Sequence, residues 1–161
     1  MTTFLFIFGV CLAAGTLMYQ YRGYERERSD TMDEVTLLLE TLEREIASLT
    51  THPTFSGLVA SCPHLAKRGV IEALRTAEDV GACLMAAVAQ LPLPEEAREL
   101  LSGYFSTFGH RERCREREQT ARLLAHMREL SQAERAASKN RVRTFEVLVA
   151  CVALCAAIVA W

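Results

Sequence analysis

The chain has 161 residues, half of them hydrophobic, and a formal net charge of −2 at pH 7. This length suits a single domain, and so small a net charge gives no field that would attract nucleic acid. All 18 Lys and Arg and all 20 Asp and Glu lie between Arg22 and Glu146, so neither end of the chain carries a charged side chain.

The N-terminal segment is apolar and free of charge from Thr2 to Tyr21. About 20 residues of helix cross the ~30 Å hydrocarbon layer of a bilayer, so residues 1–21 are predicted to form a transmembrane helix. Tyr19, Tyr21 and Tyr24 are placed as an interfacial aromatic belt. A cleaved signal peptide is the alternative, since small residues occur at 13–15, but the segment lacks the basic start that such peptides need.

An amphipathic helix is predicted from Asp30 to Thr50. Its apolar residues recur at steps of three and four: Val35, Leu38, Leu39, Leu42, Ile46 and Leu49. Ser29 or Asp30 is the predicted N-cap. Pro53 ends the helix, because proline cannot continue it.

Three shorter helices are predicted next, over Phe55–Cys62 with Thr54 as its cap, over Leu65–Ala77 and over Val80–Leu91. Pro94 then suits the first position of another helix. Its apolar stripe is expected to supply the bulky part of the core: Leu100, Leu101, Tyr104, Phe105 and Phe108.

A long last helix is predicted from Gly109 to Arg143, where neither Gly nor Pro interrupts the pattern. Residues 30–49 hold six acidic side chains against one basic, and residues 122–146 hold six basic against three acidic. Opposite balances favour an antiparallel pairing of the two outer helices, although each exposed ion pair contributes at most about 1 kcal/mol. Residues 22–144 are therefore predicted to form an all-α domain of about six helices.

The C-terminal segment, residues 145–161, is predicted to form a second transmembrane helix with Phe145 and Glu146 completing the span. Basic residues follow the first span and precede the second, a bias that places the middle domain in the cytoplasm. The orientation rests on Arg22, Arg26, Arg28, Lys139, Arg141 and Arg143. All six cysteines are expected to be free thiols, since Cys11, Cys151 and Cys155 lie inside the predicted spans and the other three would face the reducing cytoplasm.

The run from Arg111 to Glu118 alternates basic and acidic residues around Cys114. On a helix its attractive and repulsive neighbours largely cancel, so the run is either a solvated face or a surface that docks a charged partner protein. The predicted docking residues are Arg111, Arg113, Arg115 and Arg117, together with an acidic face of Glu40, Glu43 and Glu45.

Metal binding and catalysis have little support in the sequence. His110 with Cys114, and Cys62 with His64, could be drawn as zinc ligands, but neither pair has the C-x-x-C spacing that makes such a site convincing. The eight glycines never cluster into a phosphate loop, and no nucleophile with a base is apparent. The sequence therefore predicts a protein that is not an enzyme and that uses neither cofactor nor metal.

The order of these features resembles the family of stage III sporulation protein AB of endospore-forming bacteria. The resemblance covers nearly the whole chain: an apolar start, the exit Tyr21-Arg22-Gly23-Tyr24, and an acidic helix with Leu42-Glu43-Arg44-Glu45-Ile46 before a turn at Thr51–Phe55. Phe105–Gly109 is similar to the family's Phe-Gly, and Gln119 stands near its glutamine. The Arg/Glu run replaces the Leu-Gly and Asp that the family places there, and the family's mid-domain Trp is missing.

The resemblance implies a divergent member whose helical domain is similar to the platform domains of type II secretion and type IV pilus systems. It further implies a two-pass protein of the mother-cell membrane facing the forespore, in a membrane complex that links the two cells. The implied partners are a stage III sporulation protein AA-type ATPase in the cytoplasm and the other membrane subunits, and self-association into a homo-oligomer is compatible with this role.

A membrane-anchored helical sensor or regulator is the rival interpretation. Its domain would bind a ligand or a partner protein and change shape, which requires a pocket lined by convergent polar groups.

Overall fold

The computed structural model describes residues 2–47, 58–77, 79–109 and 112–159, without the side chains of residues 2–7, 58, 59, 113, 157 and 159. It contains α1 (Thr2–Ala47), α2 (Leu58–Ser61), α3 (Pro63–Lys67), α4 (Val70–Thr76), α5 (Val80–Gln90), α6 (Glu95–Phe105) and α7 (Arg113–Val159). Regular structure in the described residues is helical throughout, which confirms the predicted all-α class. Among the same residues, no helix has an apolar stretch long enough to cross a membrane.

The chain divides into two compact units. Unit 1 comprises Met1–Glu27 with Glu134–Trp161, and unit 2 comprises Arg28–Ala133. The predicted boundaries at residues 21 and 144 remain predictions about where a membrane would begin. Each unit is built around its own share of α1 and α7.

Helix α1 is longer than the amphipathic helix predicted from Asp30. It runs without a break from Thr2 to Ala47, so the predicted N-cap at Ser29 or Asp30 is wrong. A cap residue must itself be non-helical, but Ser29 and Asp30 lie inside the helix. The preceding residues Arg22–Arg28 are rich in Glu and Arg, which favour helix, so the helix does not end before them. The predicted Leu49, His52–Pro53 turn and Thr54 cap lie outside the described residues.

The core of unit 2 is apolar and, among the described side chains, draws on α1 and on α3 to α7. Leu74, Leu101, Phe105 and Leu124, which the sequence pattern places inside, are all at most 3 % exposed. The α1 stripe is also buried, with Leu39 fully so. Truncating such a leucine to alanine typically costs about 2–5 kcal/mol, so this stripe fixes α1 to the rest of unit 2.

The helix predicted over Leu65–Ala77 is two helices, α3 and α4. Gly69 stands between them at φ 73°, a left-handed conformation that glycine adopts without a steric penalty. The Gly69 nitrogen donates to the Ala66 carbonyl at 3.0 Å, which closes α3 before α4 begins. A side chain at this position would be strained by about 1–2 kcal/mol.

Helices α5 and α6 pack closely because of one glycine. Asp79 caps α5, with its carboxylate accepting from the Ala82 nitrogen at 3.0 Å, and Gly81 follows in the first turn. A Cβ at Gly81 would lie 2.9 Å from the Phe105 carbonyl oxygen. The approach of α6 to the start of α5 therefore requires glycine here.

Within unit 2, α1 and α7 lie antiparallel, in agreement with the predicted pairing of the outer helices. Ser131 donates to an oxygen of Asp33 at 2.6 Å. Arg128, three residues before Ser131 on α7, contacts Glu40 at 2.7 Å. Glu40 lies seven residues after Asp33 on α1, so the two helices run in opposite directions. The predicted acidic helix thus meets the basic one through these side chains.

Candidate functional site

The first turns of α7 contain Arg113, Arg115 and Arg117 of the predicted arginine docking surface. The side chains of Arg115 and Arg117 are exposed, and neither has an ion-pair partner among the described residues. Arg111 and His110 lie outside the described residues, and so does the side chain of Arg113. Glu118 is paired with Arg122 one turn later on the same helix, at 2.5 Å. Two solvent-exposed guanidinium groups are therefore available for a partner.

Glu116 is buried, so the run from Arg111 to Glu118 is not solvated at every position. It is only 5 % exposed, and both of its carboxylate oxygens lack a hydrogen-bond partner in the described part of the chain. Its carbonyl accepts from the Thr120 hydroxyl at 2.7 Å, and Thr120 lies 2.5 Å from the Tyr104 hydroxyl. Glu116 therefore starts the face of α7 that packs toward α6.

The sequence did carry a signal for Glu116. Counting back from the buried α7 residues Met127, Leu124 and Thr120, the same steps of three and four reach residue 116. The alternation of charges in residues 111–118 obscures this period, because a continuous charged run predicts one exposed surface.

We expect Glu116→Met to raise the free energy of unfolding of the full chain by about 1–3 kcal/mol, measured by urea denaturation. A buried carboxylate without a partner is destabilising, and an apolar side chain of similar volume removes the cost of its dehydration. The matched control is Glu118→Met, whose exposed side chain should change stability by about 0.5 kcal/mol or less. A lower stability for the Glu116 variant would contradict the expectation and indicate an attractive interaction of this carboxylate.

The predicted acidic docking face is partly occupied by the protein itself. Glu40 pairs with Arg128, while Glu43 and Arg44 sit beside them and Ala47 completes an open groove of about 280 Å³. Glu45 also has an interaction partner. Because two acidic and two basic side chains line the groove, it presents little net charge, and Arg115 and Arg117 are the better candidates for docking a charged partner.

Glu34 is a second buried acid that the sequence pattern did not single out. The residue is 7 % exposed, and its carboxylate accepts from the backbone nitrogens of His64 at 3.0 Å and Leu65 at 2.8 Å. These are free donors of the first turn of α3, where Cys62 at the cap position supplies no side-chain hydrogen bond. An acid of α1 thus caps a helix 30 residues away.

The cysteines near this core are poor nucleophiles. Burial and then the charge of Glu34 raise the pKa of Cys62 to about 11, and burial also raises the pKa of Cys83. A thiol must ionise to attack or to bind a metal. Both are therefore protonated at neutral pH.

Metal sites find no support in the described residues, where no three His, Cys, Asp or Glu come together. His64 instead lies 3.8 Å from Asp30, and Cys114 is exposed. His110, its predicted companion, lies outside the described part of the chain.

Unit 1 holds a partly buried group of ionic contacts between α1 and α7. Arg141 contacts Glu25 at 2.9 Å and Glu134 at 2.5 Å, and the side chain of Glu25 is only 4 % exposed. Burial by itself raises the pKa of Glu25. Hydrogen bonds from Arg141, Ser138 and Tyr21, together with the charge of Arg141, lower it by more, so the pKa lies below its ordinary value. The same contacts raise the pKa of Arg141 against its own burial.

Two further contacts extend this pairing toward the apolar ends of the helices. Tyr21 stacks on Phe145 with ring centroids 4.2 Å apart, and Arg22 pairs with Glu146. Because Glu25 contacts Arg141 while Arg22, earlier in α1, contacts the later Glu146, the two helices of unit 1 are antiparallel. These contacts join α1 and α7 at the place where each apolar segment meets the charged part of its helix.

Comparison with known proteins gives no relative: no protein-family model, no curated protein and no solved structure matches the chain.

Proposed function

We propose that this chain is a non-enzymatic platform protein, anchored in a membrane by two helices, that docks a cytoplasmic ATPase. By its sequence resemblance to stage III sporulation protein AB, the complex would be the sporulation assembly that links mother cell and forespore. The ATPase would be of the stage III sporulation protein AA type. The proposed spans are residues 1–21 and 145–161, and the side chains of residues 2–7 lie outside the described part.

The observation that carries this proposal is the exposed apolar surface of unit 1. Aliphatic residues and phenylalanines at least 55 % exposed on its two helices include Phe8, Leu12, Leu17, Val147, Leu148, Val152, Leu154 and Ile158. Charged side chains are missing from this part of both helices. Large exposed apolar patches are rare on soluble monomers and typical of surfaces that contact lipid or protein, and lipid would contact the exposed faces of both helices.

The docking part of the proposal rests on Arg115 and Arg117. Their guanidinium groups are exposed and unpaired among the described residues, and the contact between Tyr104 and Thr120 at 2.5 Å joins the next turn of α7 to α6. Exposed charges of this kind raise association rates and select partners of opposite charge. An acidic patch on the ATPase is the partner chemistry they would recognise.

Topology is tested by labelling single cysteines on intact cells with a membrane-impermeant thiol reagent. Thr2→Cys and Trp161→Cys report the ends, and Ser106→Cys and Gln132→Cys report unit 2 at exposed positions; each is made in a background without the native six cysteines. Labelling only at Thr2→Cys and Trp161→Cys is expected. Labelling at the unit 2 positions would place this domain outside and exclude a cytoplasmic ATPase.

Docking is tested with Arg115→Ala/Arg117→Ala in the full chain. We expect the Kd for the purified ATPase to rise about tenfold at low salt, and the difference to shrink at high salt because exposed charges are screened. Lys67→Ala/Arg75→Ala removes two exposed charges elsewhere in unit 2 and should leave the Kd unchanged. Equal affinities for both variants and the original chain would remove the arginines from the docking surface.

A further inference from the structure

The basic residues near the proposed second span fall into two groups. Arg141 is engaged by Glu25 and Glu134. Lys139 and Arg143, in contrast, are exposed and have no ion-pair partner among the described residues. The three residues lie within one and a half turns of α7, yet only the outward pair remains available to another molecule.

Lys139 and Arg143 continue directly into the apolar surface of α7. Steps of four residues lead from Lys139 to Arg143 and on to Val147, which is 59 % exposed, so all three share one face of the helix. At 1.5 Å per residue, the two cations lie about 12 and 6 Å before Val147 along the helix axis. The polar headgroup layer of a bilayer is on the order of 6 Å thick on each side.

Acidic side chains in the vicinity do not neutralise this pair. Glu146 is paired with Arg22, and Glu25 and Glu134 share Arg141. The exposed face of this stretch of α7 is therefore positive, next to a surface that is apolar. Phosphate groups at the edge of an acyl layer present the complementary combination of charge and apolar contact.

We propose that Lys139 and Arg143 bind the phosphate groups of anionic lipids at the membrane surface. The inference rests on the proposed function, since it requires that α7 enters a membrane after Arg143. The two side chains then fix the depth of α7 at the cytoplasmic face, while Arg141 keeps the two helices of unit 1 paired. One helical turn would thus serve lipid contact on one side and helix pairing on the other.

The test uses the full chain reconstituted into vesicles of phosphatidylcholine alone and of phosphatidylcholine with phosphatidylglycerol. Insertion is measured by resistance to alkaline extraction, and the Kd for phosphatidylglycerol by native mass spectrometry of the chain released from micelles. Lys139→Gln/Arg143→Gln should insert normally and raise that Kd about fivefold for each cation removed. Arg115→Gln/Arg117→Gln, an equal loss of exposed charge far along α7, should bind phosphatidylglycerol as the original chain does.

The outcomes separate this inference from the proposed function. If the original chain resists extraction from neither vesicle, the proposed spans are wrong and the lipid site is lost with them. If all chains insert but the Lys139/Arg143 variant keeps the original Kd, the spans stand and the lipid site is overturned. An equal rise of the Kd in the Arg115/Arg117 variant would likewise overturn it, because the effect would then follow net charge instead of position.

Discussion

Glu34→Ala is expected to lower the free energy of unfolding of unit 2 by about 3 kcal/mol. Hydrogen bonds to a charged group contribute about 1.5–3 kcal/mol each, and this carboxylate accepts two, from the nitrogens of His64 and Leu65. Leu65 is fully buried, so water cannot replace the lost acceptor at its nitrogen without opening the structure. Urea denaturation of the full chain, followed by circular dichroism, measures the loss.

Glu99→Ala serves as the control for this prediction, because Glu99 is an exposed acid on α6. It should change stability by about 0.5 kcal/mol or less. Glu34→Gln keeps one acceptor oxygen and should fall between the two. If Glu34→Ala and Glu99→Ala unfold at the same urea concentration, the capping of α3 by α1 does not contribute to stability.

Arg141→Met is expected to destabilise the helix pair of unit 1 by about 3–5 kcal/mol. The cost follows from leaving Glu25 charged, buried and without its main partner. Hydrogen exchange of the full chain in micelles, read on peptides from residues 18–28 and 134–145, should show faster exchange in the variant. The double variant Arg141→Met/Glu25→Leu should recover most of the protection, because it removes both charges together.

The pH dependence provides a second readout of the same pair. In the original chain the folded pKa of Glu25 lies below its ordinary value of 4.5, so its stabilising contribution is complete above that pH and is lost as pH falls through the folded value. In Arg141→Met, burial without the arginine should raise the pKa of Glu25, so acid should protect that variant instead. Parallel responses of the two chains to acid, or no rescue in the double variant, would show that the Glu25–Arg141 contact is not stabilising.

Much of the helical architecture follows from periodicity. The stripe Val35, Leu38, Leu39 and Leu42 is buried as its spacing indicates, since these steps put apolar groups on one side of a helix. Helix ends were harder to place. Ser29 and Asp30 are good caps in isolation, but nothing in the neighbouring residues stops the helix before them.

The division between α3 and α4 illustrates the same limit. Val70, Ile71 and Leu74 fit a helix begun at Leu65, and all of them are buried, so the apolar pattern alone cannot reveal the break. Lys67 and Arg68 followed by Gly69 is nevertheless the pattern of a helix end. A glycine inside an apolar period should therefore be weighed as a terminator even when the period continues.

The buried acids were the least predictable part. Glu25 finds its partner 116 residues away, at Arg141, and Glu34 finds backbone donors about 30 residues away. A local pattern contains no trace of such distant partners, and Glu and Asp are seldom buried unless paired. For the same reason the predicted docking surface includes Glu40, whose charge is already paired with Arg128.

The contact between Glu40 and Arg128 also has a consequence for synthesis of the chain. The two residues are 88 positions apart, and ribosomes add about 5–20 residues per second. Glu40 consequently waits on the order of 4–18 s for its partner on α7 to be made. During that interval unit 2 lacks the ion pair between α1 and α7, and premature stopping before Arg128 would prevent it from forming.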